Sequence, residues 1–562
     1  MFKRFNFFFL FFLILNLFLL IFTSGCNFLG SKNVIKSDKK SIIDDKNQVL
    51  RLIETSDVVT LDSALASDIA SFNVLNNVQE GLMRIGKEKK PEFAIANNFK
   101  LSPDKKTFIF SIKDDVFWSD GKKLTAYDFE YAWKRVLSKE TKSNYSYLLF
   151  PIVNAKEFNL GKVGAEKVGV YAKDEKTLVV KLKRPLLTFL DLVTLPPYYP
   201  QRKDLVIKYK DSYGTKSSKN VYCGPFVLKS WTQNKLVLVK NTNYHDQNSV
   251  FLKRVEINIV KDFATAINFY NSNIVDISPL GQAFVDAYKQ TEDYVDIELA
   301  ALQYILLNHK DPFFRNKNIR RAISLSIDRE ELTNKVLRDG SKPAGSLIPP
   351  PLYGAFGKSF RSFGEVVKPD AKLAKKFFQQ GLKELGLDAP PKDITMISGD
   401  STLKRDIAVA IQERLRNVLG LQIKLDAQPF KHLLQRANNG QFSMLQMGWV
   451  ADYNDPFSFF EIFLSNNPMN NSKYSNSKYD ELVTKGSLEV DFKKQYDYYL
   501  KAEKLLVGTA EDQDAAFVPL YYSCKAYVQK KYVKDLFRHP YGPEYTLKWV
   551  YIKNKNYTSF GY

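Results

Sequence analysis

The chain has 562 residues, of which 45% are hydrophobic, 25% are charged and 14% are aromatic. This length and composition are typical of a globular protein with more than one domain, and they exclude a small disulfide-stapled scaffold and a disordered chain. Lys and Arg number 82 against 61 Asp and Glu, which gives a net charge of +21. Three Cys and four His, without a CxxC or HExxH motif, leave no metal-ligand cluster, so we expect neither a metal nor a cofactor.

The first 25 residues have the layout of an export signal. Lys3 and Arg4 precede an apolar run over 5–22, and the small residues at 23–25 lead to Cys26. An apolar run of this length can also serve as an uncleaved membrane anchor. A Cys directly after Ser-Gly resembles a bacterial lipoprotein cleavage site, so we expect lipidation at Cys26. Both interpretations place the remaining chain outside the cytoplasmic membrane and tethered to a bilayer.

Residues 27–48 are poor in aromatic residues and rich in Lys, Asp, Ser and Asn, which predicts a disordered spacer between the lipid and the fold. Because residues 1–25 carry two basic and no acidic side chains, the mature chain has a net charge of +19. The basic residues are spread along the sequence and no zinc-finger, basic-zipper or RNP-type motif accompanies them. A solvated basic surface is therefore favoured over a nucleic-acid partner.

Beyond the spacer, the hydrophobic periodicity alternates between strand and helix. Residues 108–112 alternate as a strand does, and residues 125–137 follow helical spacing behind a capping Thr and Asp. Hairpins are predicted at 168–182 and 226–239. A strand at 394–397, a helix over 403–420 and a strand at 423–425 predict a parallel α/β layer.

Catalytic signatures are absent from the sequence. No phosphate-binding glycine motif or nucleophile elbow occurs in a strand-to-helix context. The four histidines stand alone, and an isolated histidine is more often packed or solvated than catalytic. Cys223 and Cys524 remain after lipidation of Cys26. Two alternatives are open for this pair: a disulfide between them, or two buried free thiols.

Three sequence blocks stand out: Phe117–Gly121 with Leu124–Phe129, Pro312–Phe314 with Ile319–Arg329, and Gly448–Pro456. All three resemble segments of the bacterial extracellular solute-binding proteins, family 5, that serve peptide transporters. Phe117–Gly121 with Leu124–Phe129 resembles the family's WSDG…TAxDF element. Pro312–Phe314 with Ile319–Arg329 is similar to its F…xVRxALxxAxDR helix, and Gly448–Pro456 is similar to the GWxADYxxP segment of the oligopeptide-binding proteins in particular. The order and spacing of the blocks match over nearly the whole mature chain.

The first two blocks are interpreted as structural. Asp120 and Gly121 form a turn, which indicates an architectural role for the first block. Arg320 and Arg321 lie on a predicted amphipathic helix, where arginines are mostly solvated or paired with nearby acids such as Asp328.

The resemblance implies an α/β, two-lobed periplasmic-binding-protein-like fold with an additional insert domain and a ligand cleft between the lobes. Hinge motion then seals a ligand between the lobes. The implied divisions are a lipoprotein signal peptide (1–25), a lipid-anchored tether (26–48), lobe I (49–80), insert domain II (81–203), lobe I again (204–302), lobe II (303–518) and a C-terminal return to lobe I (519–562).

The resemblance also implies the ligand contacts. In the family an extended peptide pairs with the backbones of two protein strands, which correspond here to Ser67, Asp68 and Ile69 and to Gly448, Trp449 and Val450. Asp452 falls at the position that pairs with the peptide α-amino group. Tyr145 falls near an aromatic residue that lines the site.

The other end of the peptide is less defined by the resemblance. The position two before Gly448, where relatives carry a basic residue, is Gln446, so we expect the peptide carboxylate to be held differently. Lys404, Arg405 and Arg436 are the basic residues near in sequence that are candidates for binding the carboxylate. An equal alternative is that they are surface charges on amphipathic helices.

The implied function is that of a monomer that captures oligopeptides and delivers them to a membrane-embedded ABC permease with its ATPase subunits. It is not an enzyme, and it is lipid-anchored to a bacterial membrane, facing the periplasm or the cell exterior. Two other classes stay open at this point. An extracellular hydrolase needs a nucleophile with its base or paired carboxylates, and a lipid-tethered adhesin would use the basic surface on a host or matrix partner.

Overall fold

The computed structural model describes residues 48–186, 188–354, 357–467 and 469–554. The predicted export signal, Cys26 and residues 27–47 lie outside the described residues. Gln48, assigned to the spacer, is instead buried, and its side-chain amide exchanges hydrogen bonds of 2.8 and 2.9 Å with the backbone of Ile552. Gln48 is therefore part of the fold. Within these ranges, no helix has both the length and the apolar character needed to cross a membrane.

The described residues form one sheet of eleven strands, one of four strands and three of two strands. The strands are β1 (Val49–Glu54), β2 (Met83–Ile85), β3 (Pro91–Phe93), β4 (Ala96–Leu101), β5 (Thr107–Ile112), β6 (Val170–Asp174), β7 (Thr177–Lys181), β8 (Phe226–Trp231), β9 (Lys235–Lys240), β10 (Arg254–Ile259), β11 (Ile277–Leu280), β12 (Tyr294–Leu307), β13 (Lys342–Pro343), β14 (Thr395–Gly399), β15 (Lys424–Gln428), β16 (Met444–Val450), β17 (Phe517–Gln529), β18 (Val533–Lys534), β19 (Phe537–Arg538), β20 (Tyr545–Thr546) and β21 (Tyr551–Ile552).

Helices occupy much of the remaining described chain, together with short 3₁₀ turns and a π-helical turn at Leu332–Leu337. The α-helices are α1 (Ile69–Val78), α2 (Ala126–Leu137), α3 (Ala155–Asn159), α4 (Phe189–Leu192), α5 (Lys203–Tyr209), α6 (Phe263–Asn271), α7 (Gln282–Tyr288), α8 (Pro312–Arg315), α9 (Lys317–Ser326), α10 (Arg329–Glu331), α11 (Ala371–Glu384), α12 (Thr402–Leu419), α13 (Phe430–Asn438), α14 (Phe457–Phe460), α15 (Ser477–Leu488) and α16 (Phe492–Val507).

The elements predicted from periodicity are present. β5 and α2 occupy the predicted strand and helix, and α2 begins with the Thr125–Asp128 capping box. The two hairpins are β6–β7 and β8–β9. β14 and β15 pair in parallel on either side of α12, which ends at Gly420 with a left-handed φ of +67°. The predicted α/β class is confirmed.

The large sheet depends on its two longest strands, β12 and β17. Its order is β15-β14-β16-β12-β17-β11-β1-β10-β9-β8, with β13 also paired to β17. β12 and β17 pair antiparallel, and the second half of β12 also pairs with β16. The second half of β17 pairs with β11 instead. These two strands therefore connect one half of the sheet to the other.

The β12–β17 ladder is interrupted where the two halves meet. Glu298 pairs with Cys524, but the next pair is Leu302 with Tyr522, so β12 contains extra residues at this point. The N–H of Ala300, inside the interruption, donates to the carbonyl of Pro540 at 2.8 Å. A bulge of this kind bends a sheet and removes ladder bonds that resist further bending.

The buried side chains form separate clusters on the two sides of this interruption. The largest cluster packs around the second half of β12, β14 and β16. Another fills the space between the four-stranded sheet β4–β7 and α2, and includes Trp118 and Trp133. A third lies beneath β1 and β8–β10. Each half of the large sheet therefore has its own core.

The cysteine alternatives are decided by the structure. Cys223 and Cys524 are both buried free thiols. Burial, followed by the charges of nearby acids, raises the pKa of Cys524 to about 12. Both cysteines therefore act as small apolar residues.

Arg320 and Arg321 contradict the prediction of solvated or acid-paired side chains. Both are buried, and the Arg320 guanidinium donates to the carbonyl of Asp514 at 2.8 Å. The Arg321 guanidinium donates to three carbonyls in 510–513 at 2.6 to 2.8 Å. Asp328 instead caps α10, where it accepts a backbone N–H. The prediction failed because the loop that folds over α9 comes from far along the chain.

Candidate peptide-binding edge and its charged ends

The edge of β16 is open along Gly448–Val450. β14 pairs with β16 only at Met444 and Leu445, whereas β12 pairs with the whole of β16. The N–H of Ala451 donates to Ala300 on the β12 side, and backbone groups alternate sides along a strand. The N–H and C=O of Gly448 and Val450 therefore face away from β12, where no described strand pairs with them. This edge can accept one further strand.

Gly448 allows a polar side chain to cross beneath this edge. A Cβ at position 448 would lie 2.4 Å from Nε2 of Gln303, so only glycine leaves room for that amide. Nε2 of Gln303 donates to Oγ of Ser523 at 3.4 Å, and its Oε1 accepts a 2.6 Å hydrogen bond from Nζ of Lys404. Lys404, in the first turn of α12, is thereby held next to the strand edge. Burial lowers the pKa of its ammonium to about 8.

Ser67, Asp68 and Ile69 do not form the strand that the resemblance implied. The backbone of Asp68 is extended, with φ −125° and ψ 152°, but Asp68 is the N-cap of α1. Its Oδ1 accepts the N–H of Ser71 at 2.8 Å, and Ile69 is the first helical residue. The capping interaction starts the helix here, so the extended backbone before it is only a short stretch.

Asp452 lies just beyond β16 without a counter-ion. Its Oδ2 accepts the hydroxyl of Tyr147 at 2.9 Å, and its N–H donates to Oγ of Ser458 at 3.2 Å. Burial raises the pKa of Asp452 to about 6, although the Tyr147 hydrogen bond opposes the shift. Within the described ranges the carboxylate makes no ion pair. A half-buried carboxylate in this state is stabilised by an incoming cation.

Tyr145 brings the two sides of the site together. Its ring centre lies 5.5 Å from that of Phe72 in α1 and 5.9 Å from that of Tyr147. Burial, followed by the charges of Asp452 and Asp68, raises the pKa of Tyr145 to about 12. Tyr147, which stacks on Tyr145, donates to Asp452, and Phe72 belongs to the helix that Asp68 caps, so Tyr145 lies between the Asp452 side and the Asp68 side of the site.

Three further carboxyl groups make this end acidic. Burial, followed by the charges of Asp452 and Asp455, raises the pKa of Glu461 to about 8. Burial likewise raises the pKa of Asp455 to about 6 and that of Asp191 to about 7. Arg184 opposes the shifts at Asp455 and Glu461, but its guanidinium bonds to the neutral side chain and carbonyl at the end of α15. Glu461 is therefore mostly protonated at neutral pH, and a cation bound beside these carboxyl groups would lower their pKa values.

Of the basic candidates, the structure brings only Lys404 to the edge through a described contact. Arg405 is exposed on α12. Nη1 of Arg436 pairs with Oδ2 of Asp426 at 2.5 Å beside β15, which β14 separates from β16. Gln446 is 3% exposed, and neither polar atom of its amide has a hydrogen-bond partner among the described residues.

Several residues of the site were not predicted from the sequence. Tyr147 is the second tyrosine of a Tyr-Ser-Tyr segment, and only its alternate spacing from Tyr145 could have indicated it. Gln303 is a single polar residue in the apolar run 300–307, which is a usable signal for a buried polar contact. Glu461 follows an aromatic run and carries no signal of its own.

The three-dimensional arrangement agrees with the comparison to known proteins. The family described as bacterial extracellular solute-binding proteins, family 5, middle part, matches residues 90–471. The chain belongs to this family. The dipeptide-binding protein DppE of Bacillus subtilis is 32% identical over 505 residues, which cover 90% of this chain and 92% of that protein.

Solved solute-binding proteins share the fold. The substrate-binding domain of an oligopeptide ABC transporter from Bacillus anthracis has a TM-score of 0.76 at 36% identity, covering 90% of this chain and 99% of the other. OppA of Listeria monocytogenes bound to peptide has a TM-score of 0.75 at 35% identity, covering 91% and 99%. The two-lobed fold expected for a member of family 5 is thereby confirmed.

The acidic end of the site predicts a pH-dependent stability. Glu461 has a folded-state pKa of about 8 against an ordinary value of 4.5, so the folded protein holds more protons between those values and loses stability as the pH rises through them. We expect Glu461→Gln to stabilise ligand-free protein by about 2 kcal/mol more at pH 8 than at pH 5. Urea unfolding at both pH values measures this difference.

The matched control is Glu413→Gln, because Glu413 is an exposed acid on α12. Its effect on the free energy of unfolding should be the same at both pH values within about 0.5 kcal/mol. A Glu461 variant that behaves like this control would show that Glu461 is hydrated and ionised in the folded protein.

Proposed function

We propose that this protein is an extracytoplasmic oligopeptide-binding protein that captures extended peptides between its two lobes and delivers them to an ABC permease with its ATPase subunits. The observation that carries the proposal is an open strand edge that ends at Asp452, a carboxylate without a counter-ion. The relative named for dipeptides and the solved structure named for an oligopeptide transporter support it, and the Listeria monocytogenes structure holds a peptide.

The peptide backbone would add to the edge of β16 at Gly448 and Val450. Backbone pairing does not depend on side chains, so it suits a protein that accepts many sequences. The protonated α-amino group would bond to Asp452, and the peptide would run antiparallel to β16 toward Gly448. Asp452 follows Gly448 by four residues, which span at most about 13 Å. That is the length of about three to four residues of an extended peptide.

Lys404 would bind the carboxylate of a peptide that ends near Gly448. Its ammonium is held by the neutral Gln303 at 2.6 Å, and burial has lowered its pKa to about 8. A peptide carboxylate would supply the missing negative charge and restore the ordinary pKa. Asp452 and Lys404 then bind opposite ends of the peptide and set its direction.

Lobe closure would seal the peptide without chemical change. We assign lobe I to 49–80, 204–302 and 519–562, insert domain II to 81–203 and lobe II to 303–518, and the separate buried clusters support this division. The interrupted β12–β17 ladder is the place where bending breaks fewest hydrogen bonds. The peptide would be released unaltered, so the protein is not an enzyme.

We also propose that a lipid on Cys26 holds the protein at a bacterial membrane, with residues 27–47 as a tether and the fold facing the periplasm or the cell exterior. The small residues before Cys26 support signal cleavage at this position. The protein would act as a monomer whose partners are the peptide, the permease and the bilayer.

The role of Asp452 predicts a large loss on neutralisation. We expect Asp452→Asn to weaken binding of free-amine peptides at least about a hundredfold, or about 2.7 kcal/mol, because the buried α-ammonium loses its counter-ion. N-acetylated peptides should bind the wild type poorly and lose little more on mutation. Calorimetry with both proteins and both peptides completes this double-mutant cycle.

Asp480→Asn is a control for this cycle, because Asp480 lies on α15, outside the open edge, and its Oδ1 accepts the N–H of Ser465 at 3.0 Å. It should leave the preference for free over acetylated peptides unchanged. Equal affinities of the wild type for the two peptides would refute the role of Asp452.

Lipidation predicts the mass of the mature chain. We expect protein extracted from membranes with detergent to begin at Cys26 and to carry acyl chains. Intact mass spectrometry checks this, with Cys26→Ser as the unlipidated control. A wild-type chain that still begins at Met1, or a Cys26 without an acyl chain, would contradict the proposal.

A further inference from the structure

The described chain begins at one end of the large sheet. Gln48, directly before β1, accepts the backbone N–H groups of Lys253 and Arg254 at 2.8 and 3.3 Å, and its side chain is bonded to Ile552. The proposed tether, residues 27–47, therefore joins the fold at this end. A flexible chain of that length has an end-to-end distance of about 25 Å. A lipid on Cys26 would keep this end of the sheet close to the bilayer.

Other segments of the chain meet at the same end. The N–H of Lys553 donates to the carbonyl of Tyr532 at 2.8 Å. The N–H of Lys530 donates at 3.0 Å to the carbonyl of Asp276, whose own N–H bonds to Arg51 of β1. This surface, here named the tether edge, consists of Gln48 and residues 251–254, 272–276, 530–534 and 551–554.

The tether edge is basic. Its acidic residue, Asp276, is buried and pairs with Arg51 of β1. Arg254 and Lys531 pair with acids just outside the edge, Glu256 and Glu292. The basic residues of the edge are Lys253, Arg254, Lys530, Lys531, Lys534 and Lys553.

Three of these lysines carry positive charge that no acid offsets locally. Lys253 is exposed, and Lys534 and Lys553 are partly exposed. None of the three makes an ion pair with a residue in the described part of the chain. The tether edge therefore presents a net positive charge to whatever lies opposite it.

Apolar side chains lie among these charges. Ile274, in the turn before β11, is 47% exposed. The rings of Phe251 and Tyr551 lie 6.0 Å apart, edge to face, and both are partly exposed. Basic side chains mixed with aromatic and aliphatic ones are typical of surfaces that bind the headgroup region of an anionic bilayer.

The proposed peptide site lies at the opposite end of lobe I. β1 runs from Val49 at the tether edge to Glu54, and six residues of strand span about 20 Å. Residues 52–55, at the far end of β1, line a cavity together with Leu403 of lobe II. Leu403 directly precedes Lys404, which lies next to the open edge of β16. The tether edge and the peptide site therefore face in opposite directions.

We propose that the tether edge binds the anionic phospholipid headgroups of the membrane that holds the lipid anchor, so that the peptide site points away from the membrane and into the surrounding medium. The inference rests on the lipid anchor of the proposed function. The tether raises the effective concentration of the edge at the bilayer, so a weak attraction is sufficient. This attraction falls off within about 8 Å at physiological salt, so it is reversible, and the edge detaches when the protein turns toward the permease.

The first test measures the surface without the lipid. The mature chain carrying Cys26→Ser is sedimented with vesicles of phosphatidylcholine alone or of an equimolar mixture with phosphatidylglycerol. The variant is Lys253→Gln combined with Lys553→Gln. The control is Lys372→Gln combined with Lys375→Gln, because these lysines are exposed on α11 in lobe II and the change in net charge is the same.

We expect binding to the mixed vesicles only, weakened at least about tenfold by the variant at the tether edge and by less than about twofold by the control. Equal weakening by the two pairs would show that the dispersed charge of the whole surface is responsible, and this would overturn the inference. Equal binding to both kinds of vesicle would overturn it as well.

The second test measures orientation in the lipidated protein, reconstituted in the mixed vesicles. A fluorophore is placed at Gln290→Cys, which is exposed near Glu292 beside the tether edge, or at Val59→Cys, which is 67% exposed on the side of the peptide site. Energy transfer to an acceptor in the lipid headgroups should place the first fluorophore about 20 Å nearer the bilayer. The difference should shrink in the Lys253 and Lys553 variant and persist in the control.

Equal distances of the two fluorophores in the wild type would refute the orientation. Failure of the lipid anchor is a separate result, because a wild-type chain without an acyl group is detected by its mass, and the vesicle measurement with Cys26→Ser does not depend on the lipid. Binding of that chain to anionic vesicles through other residues would refute only the tether edge.

Discussion

The pairing of β12 with β17 is the constraint on which the rest of the molecule depends. These strands are long enough to take part in both halves of the large sheet, so each lobe is built onto the same ladder. The interruption between Glu298 and Leu302 lies at the junction, and the Gln303 and Ser523 side chains meet beside it. Gly448, whose backbone groups form part of the open edge, is the residue opposite Gln303 in the β12–β16 pairing. Bending of the ladder would therefore move the two sides of the site relative to each other.

The charges along the open edge explain why the site would favour a ligand with charged ends. Asp452 and Lys404 are both half-buried, and neither has an oppositely charged partner among the described residues. Burial raises the pKa of the acid and lowers that of the base, so both groups are held in a state that costs free energy. A peptide with a free amine and a free carboxylate would relieve both costs together. Stability without ligand is thus lower than the fold could reach, as is common at functional sites.

Sequence patterns predicted the local elements well, because β5, α2 and α12 each carry periodicity and capping signals within a few residues. Motif resemblance identified the family and directed attention to Gly448–Val450 and Asp452. It could not show that Ser67–Ile69 leads into a helix, because a single capping contact from Asp68 decides this.

Contacts between distant segments were beyond the sequence. Arg320 and Arg321 bind carbonyls nearly two hundred residues further along the chain, and nothing on their own helix indicates this. Arg436 was a candidate because of its position near Gly448, but Asp426 holds it beside another strand. Gln303 and Tyr147 become recognisable only once the strands and loops are placed together.

The most direct measurement is the identification of ligand that copurifies with the wild-type protein. Protein purified without added peptide is denatured, and the released small molecules are sequenced by mass spectrometry. We expect a mixture of intact peptides of varied sequence with free N-termini, and their loss from protein carrying Asp452→Asn. Release of a single non-peptide ligand, or of peptides with blocked N-termini bound equally by both proteins, would contradict it.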